Sequence, residues 1–149
     1  MDTEQAVEIL LIEDNPHDVE LTLHAFNSQN LANKVHVVRN GEEALNFIFG
    51  ENLEGEDPIE KHPKLILLDL KLPKIDGLEV LQKLKGDSRT KSIPVVMLTS
   101  SAEENDMIES YKLGVNSYIV KPVDFKQFNE AVKNLGLYWV LLNQFPGKI

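Results

Sequence analysis

The chain contains no cysteine. That removes disulfide frameworks, thiolate nucleophiles and cysteine-ligated zinc from the chemistry it can perform. Its four histidines, His17, His24, His36 and His62, are scattered without the close spacing of a metal-ligand pair. No stretch approaches the roughly 18 consecutive apolar residues of a membrane span. The opening segment MDTEQAVEILLIEDN has neither the basic start nor the apolar run of a secretory signal. A cytoplasmic location without membrane attachment is therefore expected. Positive charge is also in short supply: 15 Lys and Arg stand against 24 Asp and Glu, for a formal charge of -9. An acidic surface of this kind argues against binding to nucleic acid or to anionic lipid.

What is present is one domain's worth of chain, 149 residues of which 42% are hydrophobic. No internal repeat is found. Short apolar runs at 7–12, 35–38, 65–68, 95–98 and 117–120 are nearly continuous rather than alternating, as in parallel strands buried on both faces. Between them lie helical patterns at 18–28, 42–49, 78–84 and 103–113, the last closed by Gly114 as a C-terminal cap. A final helix is expected to start at Asp124, with a stripe of Phe125, Phe128, Val132, Leu135, Trp139 and Leu142 at helical spacing. The order (βα)₅ predicts a doubly wound α/β fold with a parallel sheet. In such sheets the functional crevice lies at the carboxyl ends of the strands.

The residues at those ends are Glu13-Asp14-Asn15, Asp69, Thr99-Ser100 and Lys121-Pro122. Each has an ordinary explanation: acids favour helix starts, Asp is common in turns, Ser101 with Glu104 fits a capping box, and lysines are usually solvated. Their joint occurrence after strands one, three, four and five points elsewhere. Clustered carboxylates repel one another and invite a hard cation. Mg²⁺ takes one or two carboxylates and keeps water for phosphate. Asp14 and Asp69 are candidate direct ligands, Glu13 a ligand through water, and the Lys71 carbonyl a further oxygen. Asp69 is then a candidate nucleophile for a phosphoryl group, with Thr99 and Lys121 to hold the phosphoryl oxygens.

The motifs ILLIEDN, LILLDLKLPKIDGLEVL, IPVVMLTSS and SYIVKP resemble those of response-regulator receiver domains over most of residues 7–135. The resemblance implies a flavodoxin-like sheet of order 2-1-3-4-5, with Asp69 as phosphoacceptor and catalysis limited to its own phosphorylation and dephosphorylation. It implies Glu13 and Asp14 as the acidic Mg²⁺ pair, Lys71 as the backbone ligand, Thr99 and Lys121 as phosphate ligands, and Thr99 with Tyr118 as the switch pair. It further implies a cis Lys121-Pro122 bond, and a loop through Pro73 to Asp76-Gly77 whose glycine permits the turn into the next helix. Signalling would proceed from a histidine kinase to Asp69, and outward through the face of the fourth helix, fifth strand and fifth helix. The outlet would be protein contact or relay to a histidine phosphotransfer protein.

A single receiver domain over 1–149 is thus expected, with two departures from a minimal one. Residues 50–64 read as a long acidic exposed loop, and 136–149 as an apolar C-terminal extension. Tyr138, Trp139, Leu142 and Phe145 of that extension either pack on their own core or seal a homodimer. In both features the chain resembles the cyanobacterial phytochrome-associated receivers of the Rcp type, which implies a phytochrome kinase partner. Rival readings fare worse. A haloacid-dehalogenase-type hydrolase needs a second acid two residues after its nucleophile, where this chain has Lys71. An FMN carrier needs a phosphate loop where the acidic Glu13-Asp14 stands. A DNA-binding regulator lacks a helix-turn-helix and the right charge. A phosphorylation-independent pseudo-receiver remains as the alternative.

Overall fold

The computed structural model describes residues 8–27, 35–50, 62–99 and 111–134. Five strands, β1 (Ile9–Ile12), β2 (Val35–Val38), β3 (Leu65–Asp69), β4 (Val95–Thr99) and β5 (Ser117–Val120), form one parallel sheet in the order β2-β1-β3-β4-β5. The described helices are α1 (Pro16–Asn27), α2 (Gly41–Phe49), α3 (Gly77–Lys85) and α4 (Phe125–Asn134). Residues 111–112 are helical. The rest of the helix expected at 103–113, most of the 50–64 loop and the whole 136–149 extension lie outside the described residues.

Every residue of β1, β3 and β4 is buried. That is why their sequences show no polar alternation: each strand feeds two cores. Ile9, Leu11, Leu65, Leu67, Val96 and Leu98 face α1 and α4 with Val19, Phe26, Phe128 and Ala131. Leu10, Ile12, Ile66, Leu68, Val95 and Met97 face the other way, onto Ala44, Ile48, Val80, Leu81 and Leu84 of α2 and α3. The edge strands β2 and β5 are only partly covered.

Several boundaries differ from the sequence reading by one or two residues, those of β1, α2 and α3 among them. Helix α1 starts at Pro16, because the Asn15 side chain accepts hydrogen bonds from the His17 and Asp18 amides, and proline suits a first helical position. Strands β3 and β4 each run one residue further, so Asp69 and Thr99 belong to the sheet. The expected caps hold at Asp124, whose carboxylate accepts the Gln127 amide at 2.8 Å, and at Gly114, with φ 102.

The loop after Asp69 turns differently from expectation. Its left-handed residue is Lys74, at φ 69, not Gly77. Gly77 serves close approach instead. It opens α3 with its amide bonded to the Leu70 carbonyl at 3.0 Å, and an added Cβ would run into the carbonyl oxygens of Asp69 and Leu70. Both obstacles are backbone, so nothing can rotate away. Gly77→Ala is expected to lower stability by about 1–3 kcal/mol, the usual cost of overpacking, as read from urea unfolding. An unchanged midpoint would mean that α3 is free to shift.

Candidate functional site

The parallel register brings the strand ends together. Ile12 pairs with Leu68 and Leu98 with Asp69, so Glu13, Asp69 and Thr99 follow one another across β1, β3 and β4. Backbone bonds continue the pattern past the strands. Leu70 donates to the Leu98 carbonyl at 2.8 Å, and Lys121 donates to the Thr99 carbonyl at 2.7 Å. The latter fixes Lys121 beside β4 just before a cis bond to Pro122.

Glu13, Asp69 and Thr99 are buried, with 1%, 3% and 3% of their surface exposed. Asp14 is exposed. Ligand oxygens of Glu13, Asp14 and Asp69 all lie within 4.8 Å of one another. The Lys121 ammonium sits against this group, 3.0 Å from Glu13 Oε1 and 3.3 Å from Asp69 Oδ2. It also contacts Asp18 Oδ2 at 2.9 Å. The exposed Lys71 donates its amide to Asp69 Oδ1 at 3.4 Å. Tyr118 is half-buried on β5 and its ring lies 5.6 Å from that of Tyr111.

The electrostatics follow from this crowding. Burial first, and then the adjacent Asp69 carboxylate, push the Glu13 carboxyl up to about 7 against the pull of Lys121. Burial alone would lower the Lys121 ammonium, but Asp18, Asp69 and Glu13 outweigh it and hold that group above its ordinary range. Two acids in contact, one of them tending to keep a proton, are what a divalent cation would relieve. The donor set is oxygen only, which suits a hard ion such as Mg²⁺ rather than zinc or copper.

The sequence reading anticipated Glu13, Asp14, Asp69, Thr99 and Lys121, and the structure gathers all five at one end of the sheet. It missed Asp18. An acid in the first turn of a helix is common enough to raise no question, and its partner is 103 residues away. The proposed interface residues Tyr138, Trp139, Leu142 and Phe145 lie outside the described residues. Among the described residues no helix is long and apolar enough to cross a membrane.

Residues 9–133 match the response regulator receiver domain family. The response regulator Rcp1 of Synechocystis is 38% identical over 132 residues, covering 89% of this chain and 88% of that protein. A Mn²⁺-bound crystal form of Rcp1 superposes with a TM-score of 0.69 at 36% identity, over 92% of this chain and 95% of that one. The bacteriophytochrome response regulator AtBRR is 54% identical, with a TM-score of 0.75 and coverage of 92% and 97%. The phosphorylated cyanobacterial phytochrome response regulator RcpA is 39% identical, with a TM-score of 0.70 and coverage of 93% and 97%.

Proposed function

Because the chain belongs to the response regulator receiver domain family, and so to signalling rather than metabolic proteins, we propose that it takes a phosphoryl group onto Asp69 from a phytochrome-type histidine kinase. The observation that carries this reading is the contact of a single ammonium, Lys121, with the buried Asp69 carboxylate beside the Glu13–Asp14 pair.

An Asp69 carboxylate oxygen attacks the phosphorus of a phosphohistidine, and the bond from phosphorus to the histidine nitrogen breaks. Glu13, Asp14, Asp69 and the Lys71 carbonyl would hold Mg²⁺, which when bound supplies charge neutralisation for the incoming phosphate. Support comes from the oxygen-only donor set and from the Mn²⁺-bound relative. Lys121 donates to the transferred oxygens, and Thr99, one residue past the Asp69 partner Leu98, supplies a hydroxyl. The added charge on Asp69 draws Thr99 inward, and Tyr118 follows into the space vacated, altering the surface of β5 and α4. The altered surface signals by contact or by relay to a histidine phosphotransfer protein, in the cytoplasm. The apolar Tyr138, Trp139, Leu142 and Phe145 support a homodimer. The phytochrome pairing rests on the relatives, with the bacterial AtBRR at 54% identity and RcpA at 39%.

A kinase assay separates the partner from the chemistry. An autophosphorylated bacterial phytochrome kinase, mixed with the chain and Mg²⁺, is expected to pass its label to the chain within minutes. Retention of the label by the kinase, while acetyl phosphate still phosphorylates the chain, would rule out the pairing and leave the Asp69 chemistry standing.

A further inference from the structure

Lys121 carries an ammonium with three N–H donors, and three carboxylates take them: Glu13 at 3.0 Å, Asp18 at 2.9 Å and Asp69 at 3.3 Å. Two of these acids belong to the candidate metal group; Asp18 does not. It stands in the first turn of α1, held there by its amide bond to the Asn15 side chain at 3.1 Å. The attraction of negative charge to a helix N-terminus accounts for an acid at this position. It does not account for the reach of the side chain to an ammonium on the far side of the crevice. The Asp18 side chain is 26% exposed, while Lys121 is 11% exposed, so this pair is screened less than a surface one.

We propose that Asp18 is a positioning residue: it anchors the Lys121 ammonium from the α1 side, so that Glu13 and Asp69 can turn to a cation while Lys121 stays in place to meet a phosphoryl group. The inference rests on the reading of Asp69 as acceptor and Lys121 as phosphate ligand. The Lys121 ammonium contacts the Glu13 and Asp69 carboxylates, and an incoming cation would compete with it for them. A third carboxylate that the cation does not use shifts that competition in favour of the cation. After transfer, the donor freed from Asp69 is available to the new phosphoryl oxygens, and Asp18 keeps the ammonium from swinging away.

The test is a double-mutant cycle on the full chain, with Asp18→Asn and Lys121→Ala singly and together and Asp18→Glu as the conservative variant. Two readouts are taken: Mg²⁺ affinity by calorimetry without any phosphodonor, and the rate of phosphorylation by acetyl phosphate. Asp18→Asn should lower both on the order of threefold to tenfold, the range for directly contacting partners. It should change neither by more than about twofold once Lys121 is already alanine, and Asp18→Glu should restore most of the loss. An equal loss with and without Lys121 would overturn the proposal, because Asp18 would then act only by its charge at a distance. So would no loss at all in Asp18→Asn with an unchanged melting temperature. If the unmodified chain takes no phosphate but the Mg²⁺ cycle behaves as described, the phosphoacceptor reading fails while the anchoring of Lys121 stands.

Discussion

Lys121→Ala is expected to slow phosphorylation by acetyl phosphate on the order of a hundredfold, the usual cost of removing a preorganised donor to developing charge. It should also destabilise the metal-free protein. The ammonium is the shared counter-ion of Glu13, Asp18 and Asp69. Removing one member of a buried ion group leaves uncompensated charge, here about 2–3 kcal/mol after allowance for the partly exposed Asp18. The deficit has a sign with pH. Glu13, with its carboxyl pushed up to about 7, holds more protons folded than unfolded between its ordinary value of 4.5 and that point. Its contribution to stability is therefore present at low pH and lost as pH rises through about 7. Without Lys121 that loss grows. Urea unfolding in EDTA should then show a larger gap between the two proteins at about pH 8 than at about pH 5, and Mg²⁺ should close much of it. A gap that shrinks as pH rises would contradict the assigned role of the ammonium.

Phe128→Ala should cost about 3–5 kcal/mol, a large fraction of what a domain has to spare. Phe128 is fully buried, with its ring 4.4 Å from that of Phe26 on α1 and 6.4 Å from that of Phe125. It closes the core between α1, α4 and the sheet. Truncation leaves a cavity that the surrounding strands cannot collapse into, since they are fixed by the sheet. Calorimetry should show the melting temperature falling on the order of 10 °C. A fall of under about 2 °C would mean that α4 does not pack as described.

The sheet and its site were legible for one reason. Strands buried on both faces write uninterrupted apolar runs, and the first polar residue after each run is where such a sheet does its chemistry. Glu13, Asp69, Thr99 and Lys121 were found that way. Asp18 and the backbone role of Gly77 were not, because each depends on an approach between segments that local pattern does not encode. Lys121 comes to Asp18 from the far end of β5, and Gly77 meets the carbonyls of Asp69 and Leu70 only once α3 docks. The left-handed turn went to Lys74 rather than to the nearby glycine, since propensity weighs a residue but does not locate the bend.

The central claim is that Asp69 accepts the phosphoryl group. Intact mass after incubation with acetyl phosphate tests it most directly, with the wild-type chain and Asp69→Asn compared with and without Mg²⁺. The account predicts one added phosphoryl group on the wild type in Mg²⁺, none in EDTA, and none on Asp69→Asn under either condition. A wild-type chain that stays unmodified in Mg²⁺, or an Asp69→Asn chain modified to the same extent, would contradict it.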